Sequence, residues 1–110
     1  MAAKFAVLLT AGAEQDLESI YDHIVKNNGT ATANNVLDAL TAAVESLSKF
    51  PERGGYPKEL SSLGIKEYRQ VVFAPYRVIY RVVERQVFIY LIADGRRDMQ
   101  SLLAIRLLSA

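Results

Sequence analysis

The chain contains no cysteine, which excludes a disulfide framework and any thiol chemistry. It carries a single histidine, His23, so a histidine-rich metal site and a two-histidine proton relay are excluded as well. No P-loop, no GxGxxG behind a strand and no GxSxG elbow occurs, which removes the commoner nucleotide- and ester-handling classes. No apolar run reaches the length needed to span a bilayer, and residues 1–10 lack the layout of a signal peptide. Repeats, low-complexity stretches and an interdomain linker are absent too. A soluble cytoplasmic protein is therefore expected.

What is present is ordinary globular material, with 51% apolar and 23% charged residues in a chain of 110. That length predicts one domain over residues 1–110, large enough to bury a core. The net charge of +1 hides an asymmetry. Residues 1–51 hold three basic against six acidic side chains, and residues 52–110 hold ten against six. Such polarity points to an anionic partner for the second half, either nucleic acid or acidic protein.

Residues 4–9 form an apolar segment suited to a first strand. Thr10 is placed to cap a helix in which Ala13, Leu17, Ile20, Tyr21, Ile24 and Val25 recur at helical spacing. Asn27-Asn28-Gly29 should end it, because Gly and Asn tolerate the left-handed conformation of a helix stop. A second helix restarts at Thr30 or Thr32, with Ala33, Val36, Leu37, Leu40, Val44 and Leu47 in one stripe. It should run to Phe50, where Pro51 forbids continuation. The short connection predicts an antiparallel helical hairpin. Leu40→Ala or Leu47→Ala should then cost roughly 2–5 kcal/mol, visible as a thermal shift.

Residues 52–63 read as a Gly-, Pro- and Ser-rich loop. Three strands follow, at about 65–73, 76–83 and 86–93, with tight turns at Ala74-Pro75 and Glu84-Arg85. In the middle strand Tyr76, Val78, Tyr80 and Val82 should face one way, and Arg77, Ile79, Arg81 and Val83 the other. The third strand is apolar on both faces, as a central strand is. Gly95 breaks it, and residues 98–108 suit a last helix carrying Met99, Leu102, Leu103 and Leu107. The expected order is β-α-α-β-β-β-α, an α+β fold with an N-terminal strand and a helical hairpin packed on a small antiparallel sheet.

Three groups of polar residues invite chemistry. Glu14, Glu18 and Asp22 lie one turn apart on the first helix. Hard cations want several convergent oxygens, so this row reads as a solvated acidic face able to receive a basic segment. Tyr68, Tyr76, Tyr80 and Tyr90 could stack on RNA bases, yet strand tyrosines more often pack their rings, and no RNP-type motif accompanies them. His23 reads as a solvent-facing or packing residue. The arginines Arg69, Arg77, Arg81, Arg96 and Arg97 are the sharper group, since a guanidinium offers five donors in a rigid fork suited to carboxylate or phosphate. Arg77 and Arg97 could hold phosphate. Structural pairing is the alternative, for instance of Arg97 with Asp94 or Asp98, as is a patch for docking acidic side chains.

The chain resembles the RelE/ParE family of type II toxin–antitoxin toxins. The resemblance rests on Ala13-x-x-Asp16-Leu17-x-x-Ile20, Leu47 through Pro51 with Gly54, and Tyr68-Arg69. It continues through Pro75-Tyr76-Arg77-Val78-Ile79-Tyr80-Arg81 and Gly95-Arg96-Arg97-Asp98. Each piece is weak, but in order they cover nearly the whole chain. The resemblance implies the fold just described and no cofactor or metal. It also implies two possible activities. RelE-like members cleave mRNA on the ribosome with a cluster of Lys, Arg and Tyr, whereas ParE-like members inhibit DNA gyrase.

Arg77 and Arg97 match two arginines of the nuclease cluster. Its basic strand positions fall near Tyr68 and Gln70, and its C-terminal tyrosine position falls near Leu103. Attack by a ribose 2′-hydroxyl needs proton shuttles, and arginines, with pKa above about 12, serve poorly. The ParE-like branch is favoured, with an antitoxin and gyrase as partners and no sequence-specific nucleic-acid binding or membrane contact. A non-toxic relative that still binds antitoxin is the remaining class. Target or antitoxin binding is expected at Tyr68, Arg69, Arg77, Arg81, Arg96, Arg97, Asp98, Leu102 and Leu103. Deleting residues 100–110 is expected to abolish toxicity and leave a folded core.

Overall fold

The computed structural model describes residues 4–108; the other residues of the expected domain, 1–3 and 109–110, lie outside the described residues. Strand β1 (Ala6–Leu9) leads into helix α1 (Ala11–Asn28), which turns at Gly29 into α2 (Thr30–Glu45). A 3-10 turn at Ser46–Ser48 and a short helix α3 (Lys58–Ser61) precede β2 (Tyr68–Phe73), β3 (Tyr76–Val83) and β4 (Gln86–Asp94). Helix α4 (Met99–Leu108) closes the order. The four strands make one sheet in the order β1-β4-β3-β2. Strands β2, β3 and β4 run antiparallel, and β1 joins β4 in parallel.

The ends of α1 follow from its sequence. The Thr10 hydroxyl accepts from the Ala13 N–H at 3.2 Å and donates to the Ile89 carbonyl at 2.9 Å, so one side chain caps the helix and ties it to β4. At the other end Gly29 adopts φ 92°, where a side chain would be strained, and its N–H returns to Ile24 and Val25. The hairpin buries Ala13, Leu40, Val44 and Leu47 against Val71, Val78, Tyr80, Val87, Ile89 and Ile92. Leu40 and Leu47 are fully buried, as the helical stripe predicts. On the opposite face of the sheet, α3 and α4 bury Leu60, Met99 and Leu103 against Ile79, Leu91 and Ala93. Both faces of β4 are thus covered, which its continuous apolar sequence requires.

Strand β1 begins at Ala6 rather than residue 4, β4 and α4 shift by one residue, and three larger differences from the sequence expectation remain. Helix α2 stops at Glu45 rather than Phe50, because the Ser46 hydroxyl donates to the Ala43 carbonyl and the chain tightens into three-residue turns. The loop over residues 52–63 contains the short helix α3. Strand β2 begins at Tyr68 rather than residue 65, since the chain is still turning at Gly64, φ 80°, with the Ile65 N–H on the Leu60 carbonyl. The alternation of β3 holds, and a bulge lies opposite it. Ile79 pairs with Leu91 and Tyr80 with Ile89, which leaves Tyr90 as the extra residue on β4.

Candidate functional site

The arginines fall into distinct settings. At the corner between the 52–57 loop and the sheet, the buried Tyr80 hydroxyl donates to the Pro51 carbonyl at 2.8 Å and accepts from the Gly54 N–H at 3.0 Å. Burial raises the Tyr80 pKa above its ordinary value. A Cβ on Gly54 would stand 2.4 Å from the Gln70 carbonyl oxygen, so only glycine allows the loop this close. Arg69 straps the outside, donating to the Gly54 carbonyl at 2.8 Å and to the Tyr56 hydroxyl at 3.2 Å, with its guanidinium 4.7 Å from that ring. Its donors serve the fold.

Arg77 is closed more tightly still. Its two terminal nitrogens donate to the Glu59 carboxylate at 2.8 and 2.7 Å, and its Nε donates to Gln70 Oε1 at 2.7 Å. The two charged side chains are only 12% and 13% exposed. The hydrogen bond from Arg77 holds the Glu59 pKa at about 2, against the opposing effect of burial. With its charge paired and three of its five donors engaged, this guanidinium is poorly placed to take a phosphate without breaking the pair. Glu59 carries no signal in the sequence, because residues 52–63 pattern as a Gly-, Pro- and Ser-rich loop.

The turn after β4 is open. Arg96 donates to the Asp94 carboxylate, at 2.6 Å for the shortest contact, and lowers the Asp94 pKa to about 2. Asp98 caps α4 by accepting from the Ser101 N–H and hydroxyl, which lowers its own pKa. The carboxylates expected for Arg97 are therefore engaged by Arg96 and Ser101. Arg97 is exposed, its N–H donates to the Asp94 carbonyl, and its guanidinium has no ion-pair partner among the described residues.

The remaining predicted residues sort by packing. Arg81 lies 5.9 Å over the Tyr68 ring, and Tyr68 meets Tyr90 edge-on at 5.5 Å. Tyr80 is fully buried and Tyr76 partly so, which leaves no open tyrosine platform. Leu102 is half-buried. Leu103 is only 1% exposed and sits in the core under α4, which corrects its assignment to a docking surface. Deleting residues 100–110 would also remove that side chain and Arg106, while the larger cluster under the hairpin contains none of the deleted residues.

Two residues outside the predicted set organise the far side of β4. Arg106 makes a bidentate pair with Asp16, at 2.8 and 2.9 Å, and donates to the Tyr90 carbonyl at 2.7 Å. The Asp16 carboxylate in turn accepts from the Ile92 N–H at 2.9 Å. Gly12 permits this, since a Cβ there would lie 2.9 Å from an Arg106 nitrogen. Asp16 belongs to the resemblance motif, and a lone arginine in an apolar last helix was a usable signal for Arg106. Between α1, β4 and α4 runs a groove of about 450 Å³, whose walls include Asp16, His23, Ile92, Asp94, Arg97 and Arg106. His23 lies exposed on its α1 wall. Among the described residues no cluster of His, Cys, Asp or Glu could hold a metal, and no helix is long and apolar enough to cross a membrane.

A small α+β scaffold with its arginines partly locked and partly displayed has known relatives. The family model described as the ParE toxin of the type II toxin–antitoxin system parDE matches residues 7–99. The chain is 28% identical to Toxin ParE3 of Caulobacter vibrioides over 93 residues, spanning 84% of this chain and 89% of that protein. Its fold is similar to a chromosomal ParDE toxin–antitoxin system of P. aeruginosa, with a TM-score of 0.70 and 21% identity over 84% of this chain and 97% of that one. It is also similar to the toxin–antitoxin complex RelBE2 of Mycobacterium tuberculosis, with a TM-score of 0.60 and 19% identity over 86% and 94% of the two chains. The chain belongs to the ParE toxin family and is the toxin type of a type II toxin–antitoxin system.

Proposed function

We propose that this toxin acts by docking on DNA gyrase, as a single domain in the cytoplasm, and is neutralised by a cognate antitoxin. The observation that carries this reading is the closure of Arg77 by Glu59 and Gln70. Phosphoryl chemistry on RNA needs a free cation beside groups that can take and return a proton. Here one candidate cation is spent on a carboxylate. Glu59 and Asp94, held near pKa 2, are weak bases at neutral pH. The displayed arginines Arg96 and Arg97 suit recognition of an acidic surface, where charge steers association and sets register. The RelE-like ribonuclease reading has only the fold likeness and the matched positions of Arg77 and Arg97 behind it.

A supercoiling assay with purified gyrase tests the proposal. Inhibition with accumulation of cleaved DNA, relieved by antitoxin, is the expected result. Unimpaired supercoiling together with ribosome-dependent mRNA cutting would transfer the assignment to the ribonuclease.

A further inference from the structure

The positive charge of the chain collects at one end of the sheet. Strands β1, β2 and β4 begin there and β3 ends there, as the parallel and antiparallel pairings require. The turn at Glu84-Arg85 closes that end, and the Ala6 N–H donates to the Arg85 carbonyl. Residues 46–53 lie against it, since the Phe5 N–H donates to the Ser48 carbonyl at 2.8 Å. Residues 4–5, 46–53, 66–69 and 81–85 therefore share one pole, and the Asp94–Arg97 turn lies at the other end of β4. They carry seven basic side chains against three acidic ones, which leaves the rest of the chain net acidic. The ion pairs of the described residues, Glu59–Arg77, Asp94–Arg96 and Asp16–Arg106, all lie elsewhere.

Two hollows adjoin at this pole, and their linings differ. The first, of about 530 Å³, is lined by Phe5, Phe50, Pro51, Glu52 and Arg53. Phe50 is 63% exposed, and the exposed Arg85 holds its guanidinium 4.7 Å over the Phe5 ring. A ring face and a guanidinium plane are the two surfaces on which an unpaired nucleobase stacks. The second hollow, of about 320 Å³, has Lys66, Arg69 and Arg81 in its wall. Arg69 spends donors on the Gly54 carbonyl and Tyr56, and Arg81 lies over Tyr68. Among the described residues neither charge is paired with a carboxylate. Glu52 lines both hollows and Glu67 the second, and both oppose an anion there. The cations outnumber them.

Acidic side chains would meet these cations but supply no flat group for the aromatic hollow. A nucleic acid strand supplies both, since its phosphates take the cations and its unpaired bases take the ring and the guanidinium. In a duplex the bases are already stacked on one another, so a single strand fits better. We propose that this pole binds single-stranded nucleic acid without sequence preference, with a base against Phe50 and Arg85. The backbone then runs along Arg53, Arg69, Arg81 and Lys66. This surface uses neither Arg96 nor Arg97, goes beyond gyrase docking and does not depend on it.

Fluorescence anisotropy with the full chain and a labelled oligothymidine about 12 nucleotides long reads this binding directly. Affinity should fall at least about tenfold between about 50 and 200 mM salt, as for roughly three neutralised phosphates. Arg85→Glu should weaken binding by at least about tenfold, and Phe50→Ala by at least about fivefold, the loss of one stacked base. Both side chains are exposed, so thermal unfolding should change little. Glu52→Gln removes an opposing charge and should tighten binding by about twofold or more. Arg97→Glu, at the far end, should change it by less than about threefold. Oligouridine bound as well as oligothymidine supports a strand of either sugar, and a preference assigns the site to the one preferred.

Absence of binding overturns the assignment of this pole. So does binding that Phe50→Ala leaves intact and for which a duplex of the same length competes equally well. Equal competition by polyglutamate gives the pole to an acidic protein surface and also overturns it. Loss of binding in Arg97→Glu but not in Arg85→Glu moves the contact to the Asp94–Arg97 turn, with the same consequence. Each of these results leaves the toxin assignment standing.

Discussion

The corner at Glu59–Arg77 and the turn at Asp94–Arg97 each place arginine beside carboxylate, yet they behave differently. At the corner both groups are nearly buried, the pairing is bidentate and Gln70 takes the remaining Nε donor. At the turn Arg96 is 80% exposed, the pair is local to three residues, and Arg97 projects alone. Burial makes the difference. A largely desolvated ion pair cannot lose one partner cheaply, whereas an exposed one is screened and contributes little. The first arrangement therefore builds the fold, and the second remains available to a partner.

Substitution at the two arginines should break that comparison most sharply. Arg77→Ala leaves Glu59 uncompensated and should lower unfolding free energy by about 3 kcal/mol in urea denaturation. Arg97→Ala should change it by less than about 0.5 kcal/mol, as substitutions at exposed, unpaired sites do. Equal effects would mean that the two sites are not of different kinds. Next in size is Tyr80→Phe, which orphans the Gly54 N–H and the Pro51 carbonyl and should cost about 1–3 kcal/mol by the same measurement.

The corner also has a pH signature. Because Glu59 is depressed from 4.5 to about 2, its contribution is complete above pH 4.5 and is lost as pH falls through 2. That contribution is about 3 kcal/mol at full ionisation. Glu59→Gln should flatten this part of the acid limb, read as Tm against pH between 5 and 2. An unchanged slope would assign the acid sensitivity elsewhere. A smaller loss than at the corner is expected for Asp98→Ala at the start of α4, about 1 kcal/mol, the ordinary worth of a helix cap.

Much of this was legible from the residues alone. The caps at Thr10 and Gly29, the stripe through Leu40 and Leu47, and the alternation of β3 all follow from local rules, and each recurs in the fold. The resemblance motifs turn out to be largely architectural. Leu47 fills the core, Pro51 and Gly54 hold the Tyr80 hydroxyl, and Asp16 holds Arg106. What pattern reading missed depends on contacts distant in sequence. Glu59 reaches Arg77 across 18 positions and Asp16 reaches Arg106 across 90. No periodicity carries such pairings. Leu103 was misplaced for a similar reason, since an apolar chain end looks alike whether it packs inward or waits for a partner.

Gyrase supercoiling by the wild-type protein and by Arg97→Ala, in parallel with ribosome-programmed mRNA cleavage, tests the central claim most directly. Docking predicts inhibition by wild type, at least about tenfold weaker inhibition by Arg97→Ala at unchanged stability, and no cleavage of mRNA. Cleavage by wild type that Arg77→Ala and Arg97→Ala both abolish, with supercoiling untouched, would contradict it.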